Sequence, residues 1–319
     1  MNRFRDINDI QDYLPIYFKA WWLDLVFGRA RWEYIIEKDV DGYITAILPY
    51  SIKRKFTFRV ITMNSETHYS GPFIIKDKDR KNDSLVSYEN KVIESVLNKL
   101  PSVDFVYFQC LPNTNSYLSF LWSNYTINIS YTYKLDLILG KDVLLNEMKG
   151  SVRTDIKKCI IDGLNVGFCN DAQDFMVFLK ESFDNNKKDL PYNLMNLNSI
   201  VETSLLNNSS FIRVCKNKND EIVAAAFVIF DHDVAYYFAG TNNVIKYGSA
   251  ALSYCLWESI QYAKSIGKKS FDFEGSDIKG IEHYFRNFGG TLVPIYRVFK
   301  ARNKFMRLLA YIQNPKLFG

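Results

Sequence analysis

The sequence predicts an α/β (α+β) protein built as two copies of one unit in tandem. Three observations predict it. Each half runs through three consecutive strands, a helix, a strand, a short helix and a strand, and a repeated element order is the mark of duplication. The closing elements of the halves align at one constant offset, pairing Phe108 with Phe273, Phe120 with Phe285 and Tyr131 with Tyr296. Finally, 319 residues with 48% hydrophobic and 24% charged side chains describe a globular chain. That length has room for two domains and for a core burying roughly 75% of the unfolded surface.

Apolar periodicity gives the elements of the first half. A helix is expected over 9–27, carrying Trp21 and Trp22. Strands follow over 32–38, 43–53 and 56–62, the first two joined by the tight turn Val40-Asp41-Gly42. A long loop over 63–84 contains Gly71-Pro72. A helix over 85–100 stops at Pro101, and a strand over 105–109, a short helix over 115–122 and a strand or hairpin over 126–139 close the half.

The second half opens with helical turns over 143–161 that end on Asp162-Gly163. A strand over 165–169, helices over 172–186 and 196–207, and strands over 211–216, 221–230 and 234–239 follow. A long amphipathic helix over 248–266 stops at Gly267. A strand over 270–274, a helix over 278–287, a strand over 292–299 and a basic C-terminal helix complete the chain. The expected domains are residues 1–138 and 139–299, with helix 300–319 packing back on the first.

Several classes of function are excluded. The longest apolar run, Ile222 to Phe230, is half the ~20 residues of a helical membrane span. The first residues lack the apolar stretch of a signal peptide. Five cysteines, none two apart from another, fit a reducing cytoplasm better than disulfides or a zinc cluster. His68, His232 and His283 are scattered without metal-ligand spacing, so no metal is expected. Gly275-Ser276 stands in no Gly-x-Ser-x-Gly frame, which removes a serine triad. A net charge of +5 permits a phosphate-bearing ligand without announcing a nucleic-acid binder.

The most informative stretch runs from Phe271 to Gly290. It carries Asp272, Gly275, Phe285, Arg286 and Phe288, an Asp-x-x-Gly after a strand followed by Phe, a basic residue and Phe on the next helix. With Trp21-Trp22-Leu23-Asp24 and Gly71-Pro72, this pattern resembles the Fem-type aminoacyltransferases, which extend peptidoglycan bridges, and the element order resembles the GNAT (N-acetyltransferase) fold. The resemblance implies two GNAT-like units, each a mixed central sheet flanked by helices, the second binding the donor and performing catalysis. It implies an acyltransferase that makes an amide from acetyl-CoA or another acyl-CoA and an amine, carried by a small molecule or by a lipid- or nucleotide-linked cell-envelope precursor. Peripheral contact with a membrane is compatible with such an acceptor. The alternative donor is aminoacyl-tRNA. A third reading keeps the cleft as a non-catalytic binding module.

Candidate site residues follow. In the GNAT plan the helix after the splayed strand holds the donor's pyrophosphate on its N–H groups. Here that loop is Lys246-Tyr247-Gly248-Ser249-Ala250, with Gly248 and Ala250 in the Gly-x-Ala positions. A glycine lets backbone approach phosphate, though one at an ordinary helix start looks the same. Asp272 and Glu274 alternate with Phe271 and Phe273, which puts both carboxylates on one strand face at its ligand-binding end. Glu274 is the candidate general base and Asp272 the residue that orients the loop; the alternative is a turn cap and a lysine pair. The position of the usual GNAT tyrosine acid is Phe285, with Tyr284 beside it as the substitute. Arg286 and Lys279, with Gly275, and Arg153 on a second basic face with Lys157 and Lys158, are candidates for gripping an anionic substrate; the first face is equally readable as solvated, and most faces like the second are simply solvated.

Overall fold

A computed structural model describes residues 3–75, 82–112, 114–186, 190, 193–243, 247–275 and 278–313, with backbone only for Asn82, Asp83 and Gln313. In chain order the elements are α1 (Ala20–Phe27), β1 (Glu33–Lys38), β2 (Ile44–Tyr50), β3 (Ile52–Lys55), β4 (Phe58–Ile61), β5 (Phe73–Ile74), α2 (Asn82–Asn98), β6 (Phe105–Gln109), α3 (Leu118–Trp122) and β7 (Thr126–Asp136). They continue with α4 (Lys141–Glu147), α5 (Gly150–Ile161), β8 (Asn165–Cys169), α6 (Ala172–Asn185), α7 (Leu194–Leu206), β9 (Ser210–Lys216), β10 (Ile222–Phe230) and β11 (Val234–Asn242). The last are α8 (Ala250–Ser265), β12 (Ser270–Asp272), α9 (Lys279–Arg286), β13 (Thr291–Ala301) and α10 (Lys304–Gln313).

The chain divides into two compact units, residues 1–130 with 294–319, and residues 131–293. In unit 1, β1, β2 and β5 form a small antiparallel sheet, and β3-β4-β6-β13 form a second with β4 parallel to β6. The helix α2 covers one face through Ile93 and Val96, packed with Ile61, Phe108 and Val298. The alternate positions Val60, Phe105 and Phe299 point to the other face, where α10 adds Met306. In unit 2 the order is β7-β12-β11-β10-β9-β8. The chain's longest apolar run is its central strand β10, buried along its length. Ala224, Ala226 and Val228 of that strand face the core shared with α5 and α8. Phe227, between them in sequence, instead meets Phe175 of α6 at 5.8 Å.

The limits of the units fall inside β7 and β13, whereas the repeated element order puts them at 138/139 and 299/300. Backbone pairing explains this. In unit 2, Lys134–Asp136 of β7 pair antiparallel with β12, and in unit 1, Arg297–Ala301 of β13 pair antiparallel with β6. The closing strand of each copy thus completes the sheet of the other copy's residues, an exchange that element order does not reveal.

Four expected elements differ. The helix over 9–27 is two 3-10 turns and α1, because Pro15 holds Leu14 extended at ψ 144°. The strand over 43–53 breaks at Ser51, whose hydroxyl donates to the Arg31 carbonyl at 2.6 Å. The helical turns over 143–161 break at Met148, which is extended, and become α4 and α5. The strand expected over 270–274 ends at Asp272.

Candidate functional site

The site begins where two parallel strands of unit 2 part. β11 and β12 pair only from Val234↔Ser270 to Tyr236↔Asp272. Beyond that β11 continues to Asn242, while the chain after Asp272 turns away: Phe273 donates its N–H to the Tyr133 carbonyl at 3.0 Å, and Glu274 takes a left-handed φ of 59°. The expectation that Glu274 shares a strand face with Asp272 therefore fails, because period-two geometry needs extended backbone and Glu274 is beyond the strand.

Asp272 is fully buried and holds this turn together. One carboxylate oxygen accepts from Thr132 Oγ1 at 2.6 Å and from the Glu274 N–H at 2.8 Å, and the other lies 3.8 Å from Lys134 Nζ. It caps and orients the loop. Glu274 follows as a buried carboxylate whose backbone that cap fixes. Gly275 has φ +73°, and a Cβ there would meet the Tyr131 carbonyl oxygen at 2.2 Å. That close approach accounts for the motif's glycine without any ligand contact.

The start of α8 forms the second wall. Lys246 lies outside the described residues. Tyr247 and Ala250 pack against the unit 2 core. Between them Gly248 has φ +56° with nothing among the described residues within 4 Å of where its Cβ would be, so this backbone is open to approach. Its carbonyl accepts from Asn242 Nδ2 at the end of β11. The Ser249 carbonyl accepts from Ser253 Oγ at 3.0 Å, and the same hydroxyl meets Tyr284 Oη at 3.1 Å. Tyr284 on α9 thus reaches the first turn of α8. Burial pushes its phenol above the ordinary range, only partly offset by the Ser253 hydrogen bond, so it stays protonated. Phe285, in the place of the usual acid, is core: it stacks on Phe273 at 5.1 Å and meets Tyr237 edge-on at 5.9 Å.

The basic candidates do not converge. Arg286 Nε is 3.5 Å from Glu282 and Nη2 is 2.8 Å from His283 Nδ1, on an exposed helix face. Lys279 opens α9, exposed. Arg153 is spent elsewhere: its Nη1 donates to the carbonyls of Leu145, Asn146 and Met148 at 3.3, 2.7 and 2.9 Å, closing the end of α4. Four groups escaped sequence reasoning: Thr132, Lys134, Asn242 and Ser253. A fifth feature is the β-bulge opposite Phe227/Val228, which leaves Phe238 of β11 outside the ladder register. Gly240 was its available signal, since an isolated strand glycine marks a bulge or close approach. A Cβ there would meet Tyr237 Oη at 2.3 Å.

Unit 1 has the corresponding parallel pair, β4 and β6, but its gap is occupied. Ser70 donates its N–H to the Gln109 carbonyl at 2.7 Å, and Gln109 Nε2 donates to the His68 carbonyl at 2.7 Å. Beside this loop lies a narrow cleft lined by aromatic groups including Tyr17, Phe27, Tyr50 and Tyr69. Trp22 is not part of it; Trp22 is fully buried with its indole N–H on Thr67 Oγ1. Among the described residues no group of His, Cys, Asp and Glu is placed to hold a metal.

A repeated strand–helix order, parallel strands parting beside a glycine-led helix and exchanged closing strands define the class: a tandem GNAT-like fold, of the kind seen in FemX. No family model matches the sequence, and no curated relative does. Among solved structures, FemX superposes with a TM-score of 0.70 at 10% identity, covering 93% of this chain and 97% of that one. The C-terminal domain of a putative lysylphosphatidylglycerol synthetase from Agrobacterium fabrum gives 0.58 at 12% identity, covering 97% and 95%. L-PGS from Bacillus licheniformis gives 0.52 at 14% identity, covering 90% and 89%. At these identities the likeness is one of fold.

Proposed function

We propose that the protein is a cytoplasmic N-acyltransferase that makes an amide by moving an acyl group from an acyl-CoA to an amine. The carrying observation is the parting of β11 and β12 beside Gly248, whose left-handed backbone is open at the start of α8. The residues present fit a pyrophosphate there: the first N–H groups of a helix have no partner within it, and Gly248 adds no side chain to exclude the anion. Tyr247, Gly248, Ser249 and Ala250, with Lys246 from the sequence, would hold it. The donor supplies the activated thioester carbonyl. The chain's own groups handle the protons. Glu274, buried at the end of β12, takes the proton from the attacking amine, and Tyr284, a neutral phenol, gives one to the departing thiolate as its carbon–sulfur bond breaks. The acceptor class this reading favours is a small-molecule amine or a lipid- or nucleotide-linked precursor, with Arg286 and Lys279 available for an anionic group.

Thermal shift tests the donor. CoA or acetyl-CoA should raise the Tm. Gly248→Asp should remove that rise while leaving the unliganded Tm within a few degrees, because aspartate puts negative charge where phosphate approaches. A rise with tRNA and none with CoA would replace this reading with the aminoacyl-tRNA donor implied by the Fem resemblance. CoA binding without turnover on any amine would favour a binding module that has kept the cleft and lost the acid position to Phe285.

A further inference from the structure

Unit 1 carries a surface that none of its own core explains. The inner side of α10 is used: Met306 is buried, and Leu309 and Ala310 pack beside it against Val60, Phe105 and Phe299. The outer side is apolar as well. Phe305, Leu308 and Ile312, at i, i+3 and i+7, share one stripe and are 58%, 55% and 65% exposed. Lys304 and Arg307, also exposed, flank that stripe.

The β3–β4 hairpin adjoins the helix, since the Phe58 and Phe305 rings lie 6.3 Å apart. At its tip stands Phe56, 91% exposed with φ +55°, the first residue of a two-residue turn that glycine usually fills. A bulky residue held left-handed, with its ring in solvent, is strained without any internal contact to compensate. Charge is one-sided. Residues 53–59 contain Lys53, Arg54, Lys55 and Arg59, and residues 300–313 contain Lys300, Arg302, Lys304 and Arg307, with no Asp or Glu in either stretch. Arg54 and Arg59 pair directly across the hairpin, an arrangement that repels. Asp104 meets this group, accepting from the Arg59 N–H at 2.9 Å and from Arg302 Nη1 at 3.3 Å.

We infer that the hairpin tip and the outer face of α10 dock unit 1 on an anionic phospholipid surface. The stripe and Phe56 enter the interface between headgroups and acyl chains, and the flanking cations meet lipid phosphates. A second copy of the chain does not fit, because self-association would set the same cations against each other. Nucleic acid would satisfy the cations but leave Leu308 and Ile312 in water, whereas a lipid surface satisfies both.

Vesicle flotation with the full chain tests this, and it reads binding alone, so it stands apart from the acyl-transfer reading. The chain should float with phosphatidylcholine vesicles containing phosphatidylglycerol, at least about tenfold more than with phosphatidylcholine alone, and salt should weaken the binding. Phe56→Gly removes the ring while relieving the backbone, so its Tm should hold or rise while vesicle binding falls several-fold. The pair Leu308→Ser with Ile312→Ser should do the same to binding, and Lys304→Glu with Arg307→Glu should lower it by more than about tenfold, at roughly fivefold per cation near such a surface. No flotation with the anionic vesicles overturns the proposal. So does flotation that Phe56→Gly and the serine pair leave unchanged, or retention by tRNA in place of vesicles.

Discussion

Asp272 and Glu274 show how far residue identity carries. Both carboxylates are legible as a pair near a ligand-binding strand end, but their roles separate only once Asp272 is seen bonded to Thr132 and to the Glu274 N–H. Gly275 is the clearest residue-scale test. Gly275→Ala should destabilise the chain by at least about 2 kcal/mol in urea unfolding, because a Cβ there meets both a left-handed backbone and the Tyr131 carbonyl. The proposed proton-transfer roles are separable from binding. Glu274→Gln and Tyr284→Phe should each lower turnover by roughly 10²–10⁴ with CoA affinity unchanged, as expected for lost acid–base help. Partial rescue of Glu274→Gln at higher pH, where more acceptor amine is already deprotonated, would assign it as the base. Full activity in that variant would move the base elsewhere.

At the scale of elements, the short helices are defined less by periodicity than by what ends them. The α4–α5 break is the instructive case. Apolar spacing over 143–161 reads as consecutive helical turns, and a basic face of Arg153, Lys157 and Lys158 reads as a ligand surface. Arg153 instead closes α4 by donating to the carbonyls of Leu145 and Asn146 and of the capping Met148. Arg153→Ala should cost about 1.5–3 kcal/mol, the range for a lost hydrogen bond to a charged group, and leave donor affinity unchanged. Chemical denaturation beside a CoA titration checks both halves of that statement. A loss of substrate affinity at unchanged stability would restore the ligand role.

The whole molecule carries many ionisable groups within its cores, and this sets its response to alkali. Burial raises the Cys159 thiol from 9.0 to about 11 and the Cys215 thiol to about 12, with Asp155 and Asp162 adding to the first. Burial likewise raises the Tyr34 phenol from 10.0 to about 12. Each folded pKa lies above its unfolded value, so the native state keeps protons that the unfolded chain gives up. Their contribution to stability is complete below the ordinary thiol value and is lost as pH rises from about 9 to about 12. The Tm in the presence of a reductant should therefore fall progressively over that window. A flat Tm up to pH about 11 would contradict the burial of these groups.

The sequence by itself determined the unit and its repetition, and it pointed to the stretch on which the proposed site is built. Strand and helix periods are local, and the Asp-x-x-Gly stretch with Phe285 and Phe288 reports a turn and a helix that must pack, so 105–109 and 165–169 are readable residue for residue. The parting of β11 from β12 was legible only as an expectation from the fold resemblance. What tertiary structure decided is who pairs with whom. The exchange of β7 and β13 depends on hydrogen bonds between residues more than 100 positions apart, which no local pattern encodes. The left-handed turn at Glu274, the reach of Tyr284 to Ser253 and the retirement of Arg153 into a helix end are contacts of the same kind. A side chain's chemistry is written in its identity, but its role is set by the neighbours that claim its hydrogen bonds.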